Sequence, residues 1–381
     1  MLKGESPSES LCTFTGCVGE DEDAEKMAAS CESEGVTAAY QVCKSGLPTG
    51  TCAVLINGSS RSLVANLAAA SEFQDADLSD ETLAAFDLFY FEGFFTGASQ
   101  ETIRRVAEYS RANGKKFLIN LSAPFVPAAY KQVFIDIYDS IDFLFGNECE
   151  MAAFADGLEL PHADLSELAL TLANPVIHAN HRTAPLTVVI TQGAEDTIVA
   201  KTGDTFARLF PIEAIEPASI VDTNGAGDAY VGGFLAGLIM NRSQDECARI
   251  AAVAAKHVIQ RIGASYGRAS EEEIAALALD DQTVGEDDTT ADDDHYEEEA
   301  KNDTVEVPDE IEEDDNAERD DESEVVAKLE ELEILSEDEL VEMVLQIPKT
   351  LRSGTLNTST IWVPVAVVLV SVAIGLALAR Q

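Results

Sequence analysis

Apolar residues come in short bursts over the first two thirds of this chain, separated by helix-period stretches and by glycine or proline. The bursts predict strands at Thr51–Ile56, Asp87–Phe91, Lys116–Asn120, Asp142–Phe145 and Thr187–Thr191. Between several of them, Gln100–Ala112 and Pro127–Tyr138 carry the spacing of amphipathic helices. Strand, helix and strand in close succession imply right-handed crossovers and a parallel sheet with helices on both faces. In such a sheet ligands bind beyond the carboxyl ends of the strands, so functional loops should follow strands.

The pattern changes twice downstream. Asp280 to Glu322 is acidic and nearly free of large apolar residues, which predicts a disordered linker over 280–322. Helical periodicity returns over 323–347, with Val325, Val326, Leu329, Leu332, Leu335, Leu340 and Val344, and Ser336 with Glu339 resembles a capping box. The run IWVPVAVVLVSVAIGLALA at 361–379 holds no charge. At 1.5 Å per residue it covers roughly 28 Å, which predicts a transmembrane helix. Lys349 and Arg352 before it, against Arg380 after it, would leave the large N-terminal part in the cytosol. The expected organisation is therefore an α/β domain over 1–279, a linker, a short helical segment and a membrane tail.

Composition adds two exclusions. The 381 residues carry 24 basic and 70 acidic side chains, a net charge of −46, so nucleic acid is a poor partner. Seven scattered cysteines show neither a CxxC pair nor zinc spacing, which fits reduced thiols in the cytosol. The N-terminus MLKGESPSES lacks the apolar core of a secretory leader.

The densest chemical signal is DTNGAGDAYVGGF at 222–234. Gly225, Ala226 and Gly227 allow a tight turn at the start of an apolar helix, where backbone N–H groups converge on an anion. Asp228 falls in the first turn of that helix, where a carboxylate can take a proton from an attacking hydroxyl. Residue types alone fit equally a helix start with a capping aspartate and turn glycines. Neither a Walker A loop nor a GxGxxG fingerprint occurs.

The segment 222–234 resembles the second signature of the ribokinase-like (PfkB) family of carbohydrate and nucleoside kinases. LPTGTCAVLI at 47–56, RSLVANLAAA at 61–70, EGFFTGAS at 92–99, NLSAPF at 120–125, FGNECE at 145–150 and ITQGAEDTI at 190–198 narrow the likeness to the branch acting on adenosine. The resemblance covers Cys12 to Gly267 and implies ATP-dependent phosphorylation of adenosine to AMP. It assigns Asp228 as base, and Gly225, Ala226 and Gly227 as anion hole. Arg61 is placed near the phosphates, and Thr191, Gly193 and Asn224 beside ATP. Phe94, Phe95 and Phe125 line the nucleoside pocket, and Asn147 with Glu150 organises Mg2+ through water. Taken singly, each phenylalanine also reads as core, Arg61 as a surface arginine, and Asn147-x-x-Glu150 as a helix cap.

The family's ribose-binding aspartate and Gly-Gly-Ser-x-x-Asn motif do not occur in the sequence, so the domain is expected to be truncated at its N-terminus and weakened in nucleoside binding. Two alternatives follow: a kinase for another nucleoside or sugar, and a non-catalytic tail-anchored adaptor that keeps a decayed kinase domain.

Overall fold

The computed structural model describes residues 12–57, 60–174, 185–263 and 361–364. Two small parallel pairs open it: β1 (Thr13–Phe14) with β3 (Thr37–Ala38), and β2 (Cys17–Val18) with β4 (Gln41–Val42), around helix α1 (Glu22–Ser33). Asp21 caps α1, its Oδ1 accepting from Ala24 N at 3.0 Å. The same carboxylate accepts from the Thr49 hydroxyl at 2.6 Å and Thr49 N at 2.7 Å, tying the helix start to the next loop. A hairpin follows, β5 (Thr51–Asn57) and β6 (Ser60–Asn66), then the short helix α2 (Asp80–Ala84).

The principal sheet begins with β7 (Leu88–Glu92), α3 (Gln100–Asn113) and β8 (Lys116–Asn120). It continues through α4 (Phe125–Ala129), α5 (Lys131–Ile137), β9 (Phe143–Asn147), α6 (Glu148–Gly157), α7 (Leu165–Ala173) and β10 (Thr187–Gln192). Strands β11 (Glu195–Lys201) and β12 (Arg208–Phe210) complete it, and α8 (Ala226–Ile239) and α9 (Gln244–Ile259) follow. The six strands run in the order β12-β11-β10-β9-β8-β7, with β7 to β10 parallel and β11 and β12 antiparallel. Because β7 to β10 are laid down in sequence by crossovers of one hand, α3 to α7 all fall on one face.

Period-2 alternation then sorts the side chains. Phe117 and Ile119 of β8, Leu144 of β9 and Val188 and Ile190 of β10 face α3 to α7. Leu118, Phe143, Phe145 and Val189 face α8 and α9. These strands are buried on both faces, which is why they read as continuous apolar bursts. Phe234 of α8 packs edge-on against Phe143 at 5.7 Å and Phe145 at 5.4 Å.

The predicted strands and the α3 helix correspond closely to observed elements, and all seven cysteines are free thiols. Three expectations need correction. Thr51–Ile56 lies outside the parallel sheet, because β6 rather than a helix follows β5 and the two pair antiparallel. The helix expected over Pro127–Tyr138 is two helices, broken at Tyr130, whose φ of −113° leaves the helical region. The transmembrane helix expected over 361–379 starts instead as strand β13 (Ile361–Pro364), paired antiparallel with β5. Ile361, Trp362 and Val363 favour extended backbone, and Pro364 lacks the N–H that a further rung would use. Residues 365–379, the linker at 280–322 and the segment at 323–347 lie outside the described residues. Among the described residues no helix is long and apolar enough to cross a membrane, so the membrane partner is unsupported.

Phe234 is fully buried between the sheet and α9, so Phe234→Ala should cost about 3–5 kcal/mol through lost burial and a residual cavity. Urea unfolding should show the lower midpoint, and a loss below about 1 kcal/mol would contradict this packing.

Candidate active site

The row of residues at the carboxyl end of the sheet follows from the alternation. Glu92 shares the α8 face with Leu88 and Tyr90, Asn120 with Leu118, Asn147 with Phe145, and Thr191 with Val189. Backbone register sets Glu92 opposite Asn120 and Thr191 opposite Asn147. Glu92 opens the segment EGFFTGAS at 92–99, but the motif gave it no role; a charged residue at the end of an apolar strand was the signal that could have singled it out.

Helix α8 meets this row with its N-terminus. Gly225 is its N-cap at φ +74°, a left-handed conformation suited to glycine, and Asp228 lies in the first turn. The preceding loop is held by Asp222, another residue that the sequence reading left without a role. Its Oδ1 accepts from Asn224 N at 2.9 Å, and its Oδ2 from Gly263 N at 3.0 Å, beyond the end of α9. Ala226 N–H is taken by Thr223 O at 3.3 Å. The following N–H groups lie within the helix's first turn, where geometry leaves donors for an outside acceptor. A Cβ at Gly227 would meet nothing within 4 Å, so the approach to the turn is open.

Asn147 and Glu150 form the capping box of α6. Asn147 Oδ1 accepts from Glu150 N, Glu150 Oε2 accepts from Asn147 N, and Asn147 Nδ2 donates to Glu150 Oε1, each at 2.9 Å. The capping interpretation is thus realised in full. Burial pushes the Glu150 carboxyl up to about 7, with the charges of Glu92 and Glu148 adding to it. Burial, Glu92 and Glu150 likewise hold Asp228 well above the usual carboxylate range. Hard oxygen donors with uncompensated negative charge suit a hydrated magnesium ion, which keeps most of its waters. Among the described residues no group of three or more acidic, histidine or cysteine side chains forms a direct metal cage.

The three phenylalanines separate. Phe94 and Phe125 are 46% and 62% exposed, with ring centroids 6.0 Å apart, and present a bare aromatic surface. Phe95 instead packs inward, 5.1 Å from Phe73 and 5.4 Å from Phe91. Phe95 is thus partly buried against the core, whereas Phe94 and Phe125 are exposed. Thr191 is the penultimate residue of β10, and Gly193 at φ +61° makes the turn into β11. Arg61 pairs through its backbone with Ile56, and its side chain lies outside the described residues.

Comparison with known proteins gives a consistent result. The family model for pfkB family carbohydrate kinase matches residues 11–271. An adenosine kinase of Schizophyllum commune is 37% identical over 259 residues, 66% of this chain and 74% of that protein. Adenosine kinase 2 of Arabidopsis thaliana is 36% identical over 258 residues, 67% of this chain and 73% of that one. The crystal structure of Anopheles gambiae adenosine kinase with P1,P4-di(adenosine-5) tetraphosphate superposes with a TM-score of 0.63 at 41% identity. It covers 68% of this chain and 76% of that one.

Glu150 also makes a pH prediction. A carboxyl whose folded value is raised binds its proton more tightly when folded, so its stabilising effect is present at low pH. It is lost as pH rises from about 4.5 to about 7. In magnesium-free buffer, Glu150→Gln should remove a decline in unfolding free energy on the order of 3 kcal/mol between pH 4.5 and 8. Parallel stability profiles for the two proteins across that window would contradict the assigned burial.

Proposed function

The chain belongs to the pfkB family of carbohydrate kinases, and from that membership we propose that it transfers the γ-phosphoryl group of ATP to a hydroxyl of adenosine, giving ADP and AMP. The observation that carries the proposal is the placement of Asp228 behind the left-handed Gly225 turn, at the carboxyl end of the sheet and on the face that α8 covers. The adenosine kinases that resemble it at 36–37% identity supply the substrate class.

In this reading adenine stacks on the exposed rings of Phe94 and Phe125, and the ribose hydroxyl is directed toward Asp228. The Asp228 carboxylate takes the hydroxyl proton as the oxygen attacks. Its neighbouring negative charges strengthen it as a base. The N–H groups of the Gly225–Ala226–Gly227 turn other than that of Ala226 stabilise the charge that grows on the transferred group, at no cost in reorganisation. Thr191, Gly193 and Asn224 border ATP, and Arg61 keeps the phosphate role that the family resemblance gives it. Magnesium, when bound, neutralises phosphate charge, and Asn147 with Glu150 would hold its water shell. No observation favours the adaptor alternative, and the left-handed Gly225 turn with Asp228 in the helix's first turn supports the kinase reading.

Asp228→Asn keeps the shape of the side chain but cannot accept the proton. Turnover should fall by roughly 10²–10⁴, with the Kd for ATP nearly unchanged. Near-normal turnover, with chemistry shown to limit the rate, would remove Asp228 from the mechanism.

A further inference from the structure

Phosphoryl transfer assigns no task to Glu92 or Ser122, yet both are held more tightly than packing requires. Ser122 has φ +67°, a left-handed conformation unfavourable to any residue with a side chain. In that conformation its hydroxyl accepts from Gly93 N at 2.7 Å and donates to Glu92 Oε2 at 2.7 Å. Asn120 Nδ2 donates to the same oxygen at 3.4 Å, and Tyr90 Oη donates to Oε1. The Asn120 amide is oriented by its own Oδ1, which accepts from Ser122 N at 3.4 Å.

The junction is also sterically closed. A Cβ at Gly93 would lie 2.5 Å from Leu121 O and 2.7 Å from Asn120 O, so the two strand ends touch backbone to backbone. Each side of the junction leads directly to one exposed ring: Phe94 follows Gly93, and Phe125 lies three residues beyond Ser122. The separation of those rings, 6.0 Å at 46°, therefore depends on how the ends of β7 and β8 are joined.

We propose that Glu92 and Ser122 form a clasp that positions Phe94 against Phe125 and thereby sets the affinity of the cleft for a planar nucleobase. They are positioning residues, acting through the rings. The inference rests on the adenosine reading for the identity of the base, and on the geometry above for the clasp. Its cause is entropic: loops fixed before binding leave less ordering to be done when the base arrives.

Isothermal titration of the full chain with adenosine, and separately with ATP, tests it. Ser122→Ala removes the hydroxyl's bonds to Gly93 and Glu92, and its longer one to Asn120 O at 3.4 Å, and should weaken adenosine binding about tenfold, leaving ATP within about twofold. Ser122→Gly, which relaxes the backbone strain but also lacks the hydroxyl, should show the same split. Glu92→Gln keeps an amide oxygen for the Ser122 hydroxyl and should stay within about threefold of the native chain, whereas Glu92→Ala should match Ser122→Ala. Since one device is being broken, the Ser122→Ala/Glu92→Ala double variant should be no weaker than either single variant.

Unchanged adenosine affinity in the alanine variants, a parallel loss of ATP affinity, or losses that multiply in the double variant would overturn the clasp. If the native chain binds another nucleoside in place of adenosine, the same split measured with that nucleoside would uphold the clasp and reject only the adenosine reading.

Discussion

The close approach of α8 and α9 is the constraint on which the site depends. Gly233 and Gly237 make it possible: a Cβ at the first would fall 2.7 Å from Ala251 Cα, and at the second 2.7 Å from Cys247 Sγ. With α9 on one side and Phe143 and Phe145 on the other, α8 is buried continuously from Ala229 through Gly237. A helix buried all round can neither rotate nor slide without opening a void in a close-packed interior. Its N-terminus is therefore fixed relative to the sheet, and Asp228 is fixed with it. The Asp222–Gly263 hydrogen bond extends the same restraint to the turn, by tying the loop before α8 to the chain just past α9.

That rigidity brings like charges together. Burial raises the proton affinity of Asp228, Glu92 and Glu150, and nearby charge adds to it at two of them, Glu92 acting on Glu150 and both on Asp228. Such an arrangement is unfavourable for folding, and donors aimed at two of the three carboxyls, Glu150 and Glu92, offset it in part. Glu150 accepts from the backbone and side chain of Asn147, and Glu92 accepts from Tyr90, Asn120 and Ser122. Among the described residues no side-chain hydrogen bond of this kind holds Asp228, which in the proposed mechanism leaves it the carboxylate to exchange a proton with a substrate. The difference between a pinned anion and a free one separates a positioning carboxylate from a base.

The layout of the fold was legible because buried parallel strands have an unambiguous signature. Lys116–Asn120 was delimited from its apolar run alone, and β10 differs from its expected range by one residue. The Gly225–Asp228 turn was legible for a different reason, since only a few residue types tolerate its backbone. What sequence could not reveal was direction within a turn. Phe94, Phe95 and Phe125 are chemically alike, and their division into two exposed rings and one partly buried ring depends on the path after β7. Glu92 and Ser122 were hidden likewise, because their partnership spans 30 positions and is set by strand register. The start of the apolar run at 361–379 was misread because period alone does not distinguish Ile-Trp-Val in a strand from the same residues in a helix.

Charge raises a last question, since a chain of net −46 must bind a polyanion. Much of that charge lies between Asp280 and Glu342, remote in sequence from the turn at 225–227. At physiological ionic strength the interaction of exposed charges more than about 8 Å apart is largely screened, so net charge by itself does not decide whether ATP binds. Long-range steering is equally unavailable, because it requires a cleft of opposite sign. Attraction must then come from groups that act only at contact: the helix N-terminus, the N–H groups of the glycine turn, and a divalent cation drawn by the carboxylates themselves. On this argument the buried acidic residues do not hinder phosphate binding. In the proposed mechanism they recruit, as a divalent cation, the counter-charge that phosphate needs, and the backbone turn supplies the rest.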